Sequence, residues 1–161
     1  MPKKIFVITG TSKGIGRDLC EYFLKEGNIV IGCSRNMSDL KHPDYLHFEM
    51  DVADEKGVKK MVRETARIYG NIDVLINNAG IASMNPIMLT PYDSVVKIFR
   101  TNFLGSFLFI REVGKVMIRQ KKGRIVNFST VATPLRLEGE AIYASSKASI
   151  VSLTEIAAKE L

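Results

Sequence analysis

The sequence predicts an α/β fold with a doubly wound parallel sheet, in one domain that covers residues 1–161. Three observations predict it: five short apolar runs recur along the chain, helical segments separate them, and no repeat or linker divides the sequence. Helical crossovers between strands require parallel strands, because each crossover must return the chain to the same edge of the sheet. Right-handed crossovers then place helices on both faces, with the predicted strand order 3-2-1-4-5.

The predicted strands are short aliphatic runs, as expected of strands that are buried on both faces. They lie at residues 4–9, 28–33, 46–50, 73–77 and 124–129. The first strand is the run KIFVIT, which is followed directly by Gly10.

Amphipathic segments between the strands predict the helices. The helices are expected at residues 17–27, 54–69, 91–118 and 142–160, with loops at 34–45, 80–90 and 130–141. Gly27 is a natural stop for the first helix, and Asp54 is the predicted N-cap of the second. The long third region is expected to break near Asn102.

The composition is that of a soluble globular domain, with 46% hydrophobic and 25% charged residues. No apolar run reaches the length of a membrane span, and the first apolar run is too short for a signal peptide. Cys20 and Cys33 have no motif spacing, so we expect them to be reduced and buried in a cytoplasmic protein.

The formal net charge of +6 raises the question of a nucleic-acid partner. The clearest basic cluster recurs at helical spacing and consists of Lys56, Lys60, Arg63 and Arg67. Acidic residues accompany the cluster, so we interpret it as a solvated helix face and predict no nucleic-acid or membrane partner. The two histidines and two cysteines do not form a cluster with metal-ligand spacing, which predicts no metal site.

The segment TGTSKGIG, residues 9–16, lies between the first strand and the first helix. Glycines in this position permit a tight turn and a close approach of the backbone to a pyrophosphate. The N–H groups that open the helix then point toward the phosphates. The segment therefore predicts a nucleotide site, and a Walker-type motif is excluded because no Gly-Lys-Ser/Thr follows. The candidate cofactor-binding residues are Gly10, Ser12, Lys13, Gly14, Ile15 and Gly16.

The second strand should end beside the adenosine ribose of the nucleotide. An acidic residue in this position would accept hydrogen bonds from the ribose hydroxyls and repel a 2′-phosphate. The sequence is GCSRN instead, with no carboxylate before Asp39. Arg35, aided by Lys13 and Ser34, can pair with a 2′-phosphate. We therefore predict NADP(H) as the cofactor, with NAD(H) as the alternative, in which Arg35 is a solvated surface residue.

Four motifs in order resemble the short-chain dehydrogenase/reductase family: TGTSKGIG, NNAG at 77–80, TNFLGSF at 101–107 and YASSK at 143–147. The NNAG and GRIVNFST segments resemble bacterial 3-oxoacyl-carrier-protein reductases. The resemblance implies a Rossmann-like fold and an oxidoreductase that reduces a ketone or 3-oxoacyl group, or oxidises the matching secondary alcohol. It also implies further cofactor-binding residues, which are Asp51, Val52, Asn78, Ala79, Gly80, Tyr143 and Lys147.

The resemblance implies that Tyr143 is the catalytic general acid and base. A free phenol, with a pKa of about 10, is a poor base at neutral pH. Lys147 lies four residues later, on the same helix face, where an ammonium favours the phenolate. Tyr143 is the only one of the five tyrosines with lysine at this spacing. Asn102 matches the family asparagine that anchors a water relay to the lysine, and it can also be a helix cap.

Thr130 takes the place of the serine that the family usually has thirteen positions before the tyrosine. Threonine retains the hydroxyl and adds a methyl group that stiffens the side chain. We expect Thr130 to polarise the substrate carbonyl. Ser129 is not expected to replace it, because adjacent strand residues point to opposite faces.

The resemblance also implies features of the whole enzyme. Related enzymes continue into two more strands, so we expect the chain to be truncated at its C-terminus, to lack the last strands of the family and to leave strand five with an open edge. The helices at about 102–118 and 142–160 are expected to form the contacts of a homodimer or homotetramer.

Two alternative functions remain at this stage. The first is a dinucleotide-binding module without catalysis, or an inactive fragment of a dehydrogenase/reductase. A sugar-nucleotide epimerase is the second, although its glycines are usually spaced as TGxxGxxG.

Overall fold

The computed structural model describes residues 2–161, which contain a five-stranded parallel sheet in the order β3-β2-β1-β4-β5. The predicted fold class and strand order are confirmed. The strands are β1 (Ile5–Thr9), β2 (Ile29–Ser34), β3 (Tyr45–Glu49), β4 (Val74–Asn77) and β5 (Arg124–Asn127).

Six α-helices connect and cover these strands. They are α1 (Gly14–Lys25), α2 (Glu55–Tyr69), α3 (Tyr92–Phe99), α4 (Gly105–Gln120), α5 (Ala132–Leu135) and α6 (Ala141–Glu160). A 3-10 turn covers Ile87–Leu89, and a π-helical turn at Arg100–Leu104 joins α3 to α4.

The core consists of two apolar layers, one on each face of the sheet. Successive strand residues point to opposite faces, so Val7 and Ile8 of β1 belong to different layers. Ile8 packs with Cys20 and Leu24 of α1, whereas Val7 packs in the layer that α2, α4 and α6 cover. The exclusion of apolar surface from water on both faces is the main driving force for this arrangement.

The N-cap prediction for α2 is confirmed, because the Asp54 carboxylate accepts the N–H of Lys56 at 3.1 Å. The helix buries Val58 and Met61, and its predicted basic face is exposed to solvent. Within residues 2–161, no helix has both the length and the apolar character that a membrane crossing requires.

Two predictions about helices were wrong. The helical region does not break at Asn102, because the Gly105 N–H donates to the Arg100 carbonyl and the chain continues through the π-helical turn. Asn102 is therefore not a cap. The predicted loop before α6 contains α5, a single turn whose Pro134 and short length give no periodic signal.

Candidate active site

A cleft of about 340 Å³ lies at the carboxyl ends of the strands, beside the switch point between β1 and β4. The structure brings ten of the predicted cofactor-binding residues together around it: Gly10, Ser12, Lys13, Ile15, Arg35, Asp51, Val52, Asn78, Ala79 and Gly80. Six predicted site residues are not part of this lining, namely Gly14, Gly16, Asn102, Thr130, Tyr143 and Lys147. The lining also includes residues that the sequence did not predict, which are Asn36, Met50, Ile81 and Thr101.

The glycine turn brings β1 and the first turn of α1 close to the loop after β4. Gly10 has a φ of +76°, and a Cβ atom on it would lie 2.9 Å from the Ala79 Cα. Gly16 faces the Gly10 carbonyl so closely that a Cβ atom on Gly16 would overlap it. Helix α1 begins at Gly14 with no side-chain cap and no acidic residue in its first turn. Its first N–H groups are therefore free to bind phosphate oxygens.

The NNAG loop is fastened to β1 by side-chain hydrogen bonds. The Asn78 Nδ2 atom donates to the Thr9 carbonyl at 2.9 Å and to the Gly10 carbonyl at 3.2 Å. The Thr9 hydroxyl accepts the N–H groups of Asn78 and Ala79. These bonds fix the loop against the glycine turn, so the two segments form one continuous wall of the cleft.

The end of the cleft beside β2 carries positive charge. Arg35 and Lys13 line it and are exposed. The first carboxylate after β2, Asp39, pairs with Arg17 instead, and this hydrogen bond lowers the pKa of Asp39 below its usual value. Beyond β3, Asp51 lines the cleft and lies 3.5 Å from an Arg100 nitrogen. The end of the cleft beside Arg35 and Lys13 therefore contains no carboxylate from the segment that follows β2.

Asn102 holds the loop after β4 from the π-helical turn. Its Oδ1 atom accepts the N–H of Ile81 at 2.8 Å, and its Nδ2 atom donates to the Ile81 carbonyl at 2.9 Å. The same Nδ2 atom lies 2.9 Å from the Ser146 hydroxyl of α6. The wider π-helical turn directs this buried amide at both elements, so Asn102 links the cleft loop to α6. Ser146 was not predicted, although it adjoins Lys147 in the YASSK motif.

Lys147 is buried behind the cleft wall, next to Gly80, and is only 6% exposed. Its Nζ atom donates to the Phe128 carbonyl at 2.8 Å, and a Cβ atom on Gly80 would lie 3.5 Å from Nζ. Burial lowers the pKa of Lys147 below its ordinary value, because a desolvated ammonium is disfavoured. No carboxylate among residues 2–161 forms an ion pair with this ammonium, so the charge is available to a bound ligand or to a phenolate.

Tyr143 lies in the first turn of α6 and is half-buried. The spacing of four residues puts it on the same helix face as Lys147, where Cβ atoms are about 5–6 Å apart. Lys147 approaches the NNAG loop at Gly80, so this face of α6 is turned toward the cleft.

The two hydroxyls after β5 have different partners. The Thr130 Oγ1 atom accepts the N–H of Ala132 at 3.2 Å, which leaves its hydroxyl hydrogen free to be donated. The Ser129 hydroxyl donates to the Lys147 carbonyl at 3.5 Å. Both residues lie beyond the end of β5, so strand alternation does not distinguish them. Their hydrogen bonds distinguish them. The Ser129 hydroxyl hydrogen is already donated to the Lys147 carbonyl, whereas the Thr130 hydroxyl hydrogen can be donated to a substrate.

A larger cavity of about 670 Å³ lies between α4, α6 and the start of β5. It contains none of the predicted site residues, and its walls are mainly apolar. Among residues 2–161, no group of histidine, cysteine and carboxylate side chains could hold a metal ion. The smaller cleft at the strand ends is therefore the candidate active site.

Relatives match nearly the whole chain. An NAD-dependent glycerol dehydrogenase of Listeria innocua is 32% identical over 98% of this chain and 64% of its own length. A 3-oxoacyl-[acyl-carrier-protein] reductase of Staphylococcus aureus is 33% identical over 98% of this chain and 68% of its own. The structure of ElxO with NADP bound is 30% identical, with a TM-score of 0.93 over 99% of this chain and 68% of that one.

The chain thus spans 64% to 68% of the length of these relatives. The sequence profile described as short chain dehydrogenase matches residues 4–161. With this match, and with relatives more than 30% identical along the chain, the protein belongs to the short-chain dehydrogenase family.

Proposed function

We propose that the protein is an NADP(H)-dependent oxidoreductase that reduces a ketone or 3-oxoacyl group, or oxidises the matching secondary alcohol. Tyr143 is the general acid in reduction and the general base in oxidation. The observation that carries the proposal is the buried Lys147 ammonium, which lies beside Gly80 and one helical turn from Tyr143. A buried cation without a carboxylate partner is costly, and a function in proton transfer explains its presence.

The residues of the cleft fit a dinucleotide. Gly10 leaves no room for a side chain against Ala79, and the N-terminus of α1 has no side-chain cap. The glycine turn and these free N–H groups would hold the pyrophosphate. Asp51 and Val52 would contact the adenine, and Gly80 would line the nicotinamide end. The bound cofactor supplies or accepts the hydride.

The side chains around Tyr143 have separate roles in proton transfer. The Lys147 ammonium would stabilise the negative charge that the Tyr143 oxygen carries when its proton is transferred. The free Thr130 hydroxyl hydrogen would be donated to the substrate oxygen, where negative charge develops during reduction. Asn102 holds the Ile81 backbone and Ser146 in place, so it positions the cleft loop relative to Lys147.

The choice of NADP(H) rests on Arg35 and Lys13 at the end of the cleft beside β2. A guanidinium pairs with a phosphate through two parallel hydrogen bonds, whereas a ribose hydroxyl is better recognised by a carboxylate. NAD(H) is the alternative, because one relative is named as NAD-dependent, whereas another has been solved with NADP bound. Among substrates we favour a 3-oxoacyl thioester, in line with the Staphylococcus aureus relative.

The direct test is to follow NADPH oxidation by absorbance with a panel of ketones that includes acetoacetyl thioesters. We expect turnover with at least one ketone, and Tyr143→Phe should lower kcat by about 100-fold or more while NADPH still binds. Undiminished turnover in Tyr143→Phe would contradict the role of the phenol. Tight NADPH binding without turnover of any ketone would support the alternative of a non-catalytic dinucleotide-binding module.

We also propose that the protein associates through α4 and α6 as a homodimer or homotetramer. Leu104, at the end of the π-helical turn, and Ile118, near the end of α4, are exposed, as are Val151 and Ile156 of α6. Exposed apolar groups of this kind favour contact with another chain. A cytoplasmic location is proposed because both cysteines are free and buried.

A further inference from the structure

A chain of polar side chains lies beneath the adenosine end of the cleft, and His47 is at its centre. The His47 Nδ1 atom is 2.9 Å from the Tyr45 hydroxyl, which in turn lies 3.1 Å from the hydroxyl of Thr11. The His47 Nε2 atom is 3.2 Å from the carbonyl of Asn36 and 3.2 Å from the Ser34 hydroxyl. The imidazole thus joins the glycine turn after β1 to the segment after β2.

The missing side chain of Gly32 makes this connection possible. Gly32 pairs with His47 across the β2–β3 ladder. A Cβ atom on Gly32 would lie 2.5 Å from the Tyr45 hydroxyl and 2.6 Å from the Thr11 hydroxyl. Any side chain here would therefore displace the phenol that crosses β2 to reach the turn. The hydroxyls of Tyr45 and Thr11 occupy the space that a side chain at position 32 would need.

The partners define the hydrogen positions on the imidazole. The Asn36 carbonyl can only accept, so the Nε2 atom of His47 carries a hydrogen and donates it. In the neutral ring Nδ1 is then an acceptor, and it lies 2.9 Å from the Tyr45 hydroxyl and 3.4 Å from the Thr11 hydroxyl. The Ser34 hydroxyl donates to the same Asn36 carbonyl at 2.8 Å. Two donors therefore hold this one carbonyl in place.

The held carbonyl belongs to the residue that follows Arg35. No helix or strand covers residues 35–44, so side-chain hydrogen bonds are the main restraint on the backbone at Arg35. Arg35 itself is exposed and lines the cleft. A fixed backbone at Asn36 limits where the guanidinium can reach, which reduces the entropy lost when it binds a phosphate.

We propose that His47 is a positioning residue for cofactor choice: it holds the Asn36 carbonyl so that Arg35 meets the 2′-phosphate of NADP(H). This inference rests on the proposed function and deepens it, because it assigns a residue outside the cleft to the discrimination between NADP(H) and NAD(H). His47 does not contact the cofactor and acts through the backbone of the segment that it anchors.

The test compares two small probes of the adenosine end, 2′,5′-ADP and 5′-AMP, in calorimetric titrations of the full chain. His47→Phe removes every hydrogen bond of the imidazole and should weaken 2′,5′-ADP binding by about tenfold, while 5′-AMP binding changes by less than about twofold. His47→Gln keeps a donor for the Asn36 carbonyl and should restore most of the affinity for 2′,5′-ADP. His42→Phe, at the exposed histidine before β3, is the matched control and should leave both affinities unchanged.

The outcomes separate the two levels of the proposal. Failure of the unmodified chain to bind NADPH or NADH would overturn the proposed function itself. Equal affinity of the unmodified chain for the two probes would overturn the role of Arg35, and with it that of His47. Two results would overturn the positioning role alone. One is a preference for 2′,5′-ADP that is unchanged in His47→Phe, and the other is an equal loss of affinity for both probes. If His47→Phe does not fold, failure of the folded His47→Gln variant to retain the preference would overturn it as well.

Discussion

At the scale of single residues, the site is dominated by one buried charge. Lys147 has an acceptor in the Phe128 carbonyl and no carboxylate partner among residues 2–161. Burial disfavours its charged form, which explains the lowered pKa. The hydroxyl oxygen of Thr130 accepts the N–H of Ala132, and its hydrogen remains free to be donated.

The first prediction concerns the pH dependence of stability. The pKa of Lys147 in the folded protein lies below the ordinary 10.5, so between these two pKa values the unfolded chain binds more protons than the folded one. Lys147 therefore destabilises the fold at neutral pH, and this effect is relieved as pH rises. Urea denaturation should show that wild type gains stability relative to Lys147→Met between about pH 7 and about pH 10.

Lys159→Met is the control for this comparison, because Lys159 is an exposed lysine of the same helix. Lys159→Met also removes one positive charge, so it shows how much of the pH dependence comes from the change in net charge alone. A stability difference between wild type and Lys147→Met that did not vary with pH would show that the ammonium is not destabilised by burial.

The second prediction compares two replacements of Thr130. Thr130→Ser retains the hydroxyl and should keep kcat within about threefold of wild type, whereas Thr130→Val loses the donor and should lower kcat by about 100-fold. Steady-state reduction of the best ketone by NADPH measures both variants. Valine has nearly the shape of threonine, so the pair separates the hydroxyl from packing. Full activity in the valine variant would rule out Thr130 as the polarising group.

At the scale of elements, two local geometries build the site. The glycine turn brings α1 against the NNAG loop, and the π-helical turn directs Asn102 at Ile81 and α6. Both depend on contacts between segments that are distant in sequence.

The third prediction uses two glycines of the same turn. Gly14→Ala meets no atom within 4 Å and is strained only by its φ of +58°, so it should cost about 1 kcal/mol of unfolding free energy. Gly16→Ala would overlap the Gly10 carbonyl and should cost more than about 2 kcal/mol and abolish NADPH binding. Denaturation curves and NADPH titrations measure both effects. Equal costs for the two variants would contradict the close packing at Gly16.

Continuous apolar runs were sufficient to predict the elements of the sheet, with the first residue of every strand within one position of the observed start. Buried parallel strands carry their signal in the local sequence. The π-helical turn and α5 were not predictable, because a bond from Gly105 to Arg100 and a single turn around Pro134 leave no periodic pattern. The apparent break at Asn102 reflected a polar residue that faces the site.

At the scale of the whole molecule, the ends of four strands, β1 to β4, converge on one cleft. The motifs predicted most of its lining, because each motif follows a strand and parallel strands end at the same edge. The His47 connection was not predicted, since it depends on Gly32, a residue of a neighbouring strand whose only contribution is open space. Proximity through space of this kind has no local sequence signal.

The fourth prediction concerns association. Ile118→Glu and Ile156→Glu put a charge on the exposed apolar face of α4 and α6 and should shift the protein from dimer or tetramer to monomer. Ile68→Glu on α2 is the matched control, because Ile68 is 50% exposed and Ile156 is 53% exposed. Sedimentation velocity measures the result. Dissociation by the control variant alone would place the interface elsewhere.

The most direct test of the catalytic arrangement is a crystal structure of the protein with NADPH bound. We expect the pyrophosphate on the glycine turn, the nicotinamide ring beside the Tyr143 hydroxyl and the Lys147 Nζ atom within hydrogen-bond distance of the nicotinamide ribose. A dinucleotide bound outside the cleft, or a Tyr143 hydroxyl directed away from the ring, would contradict the account.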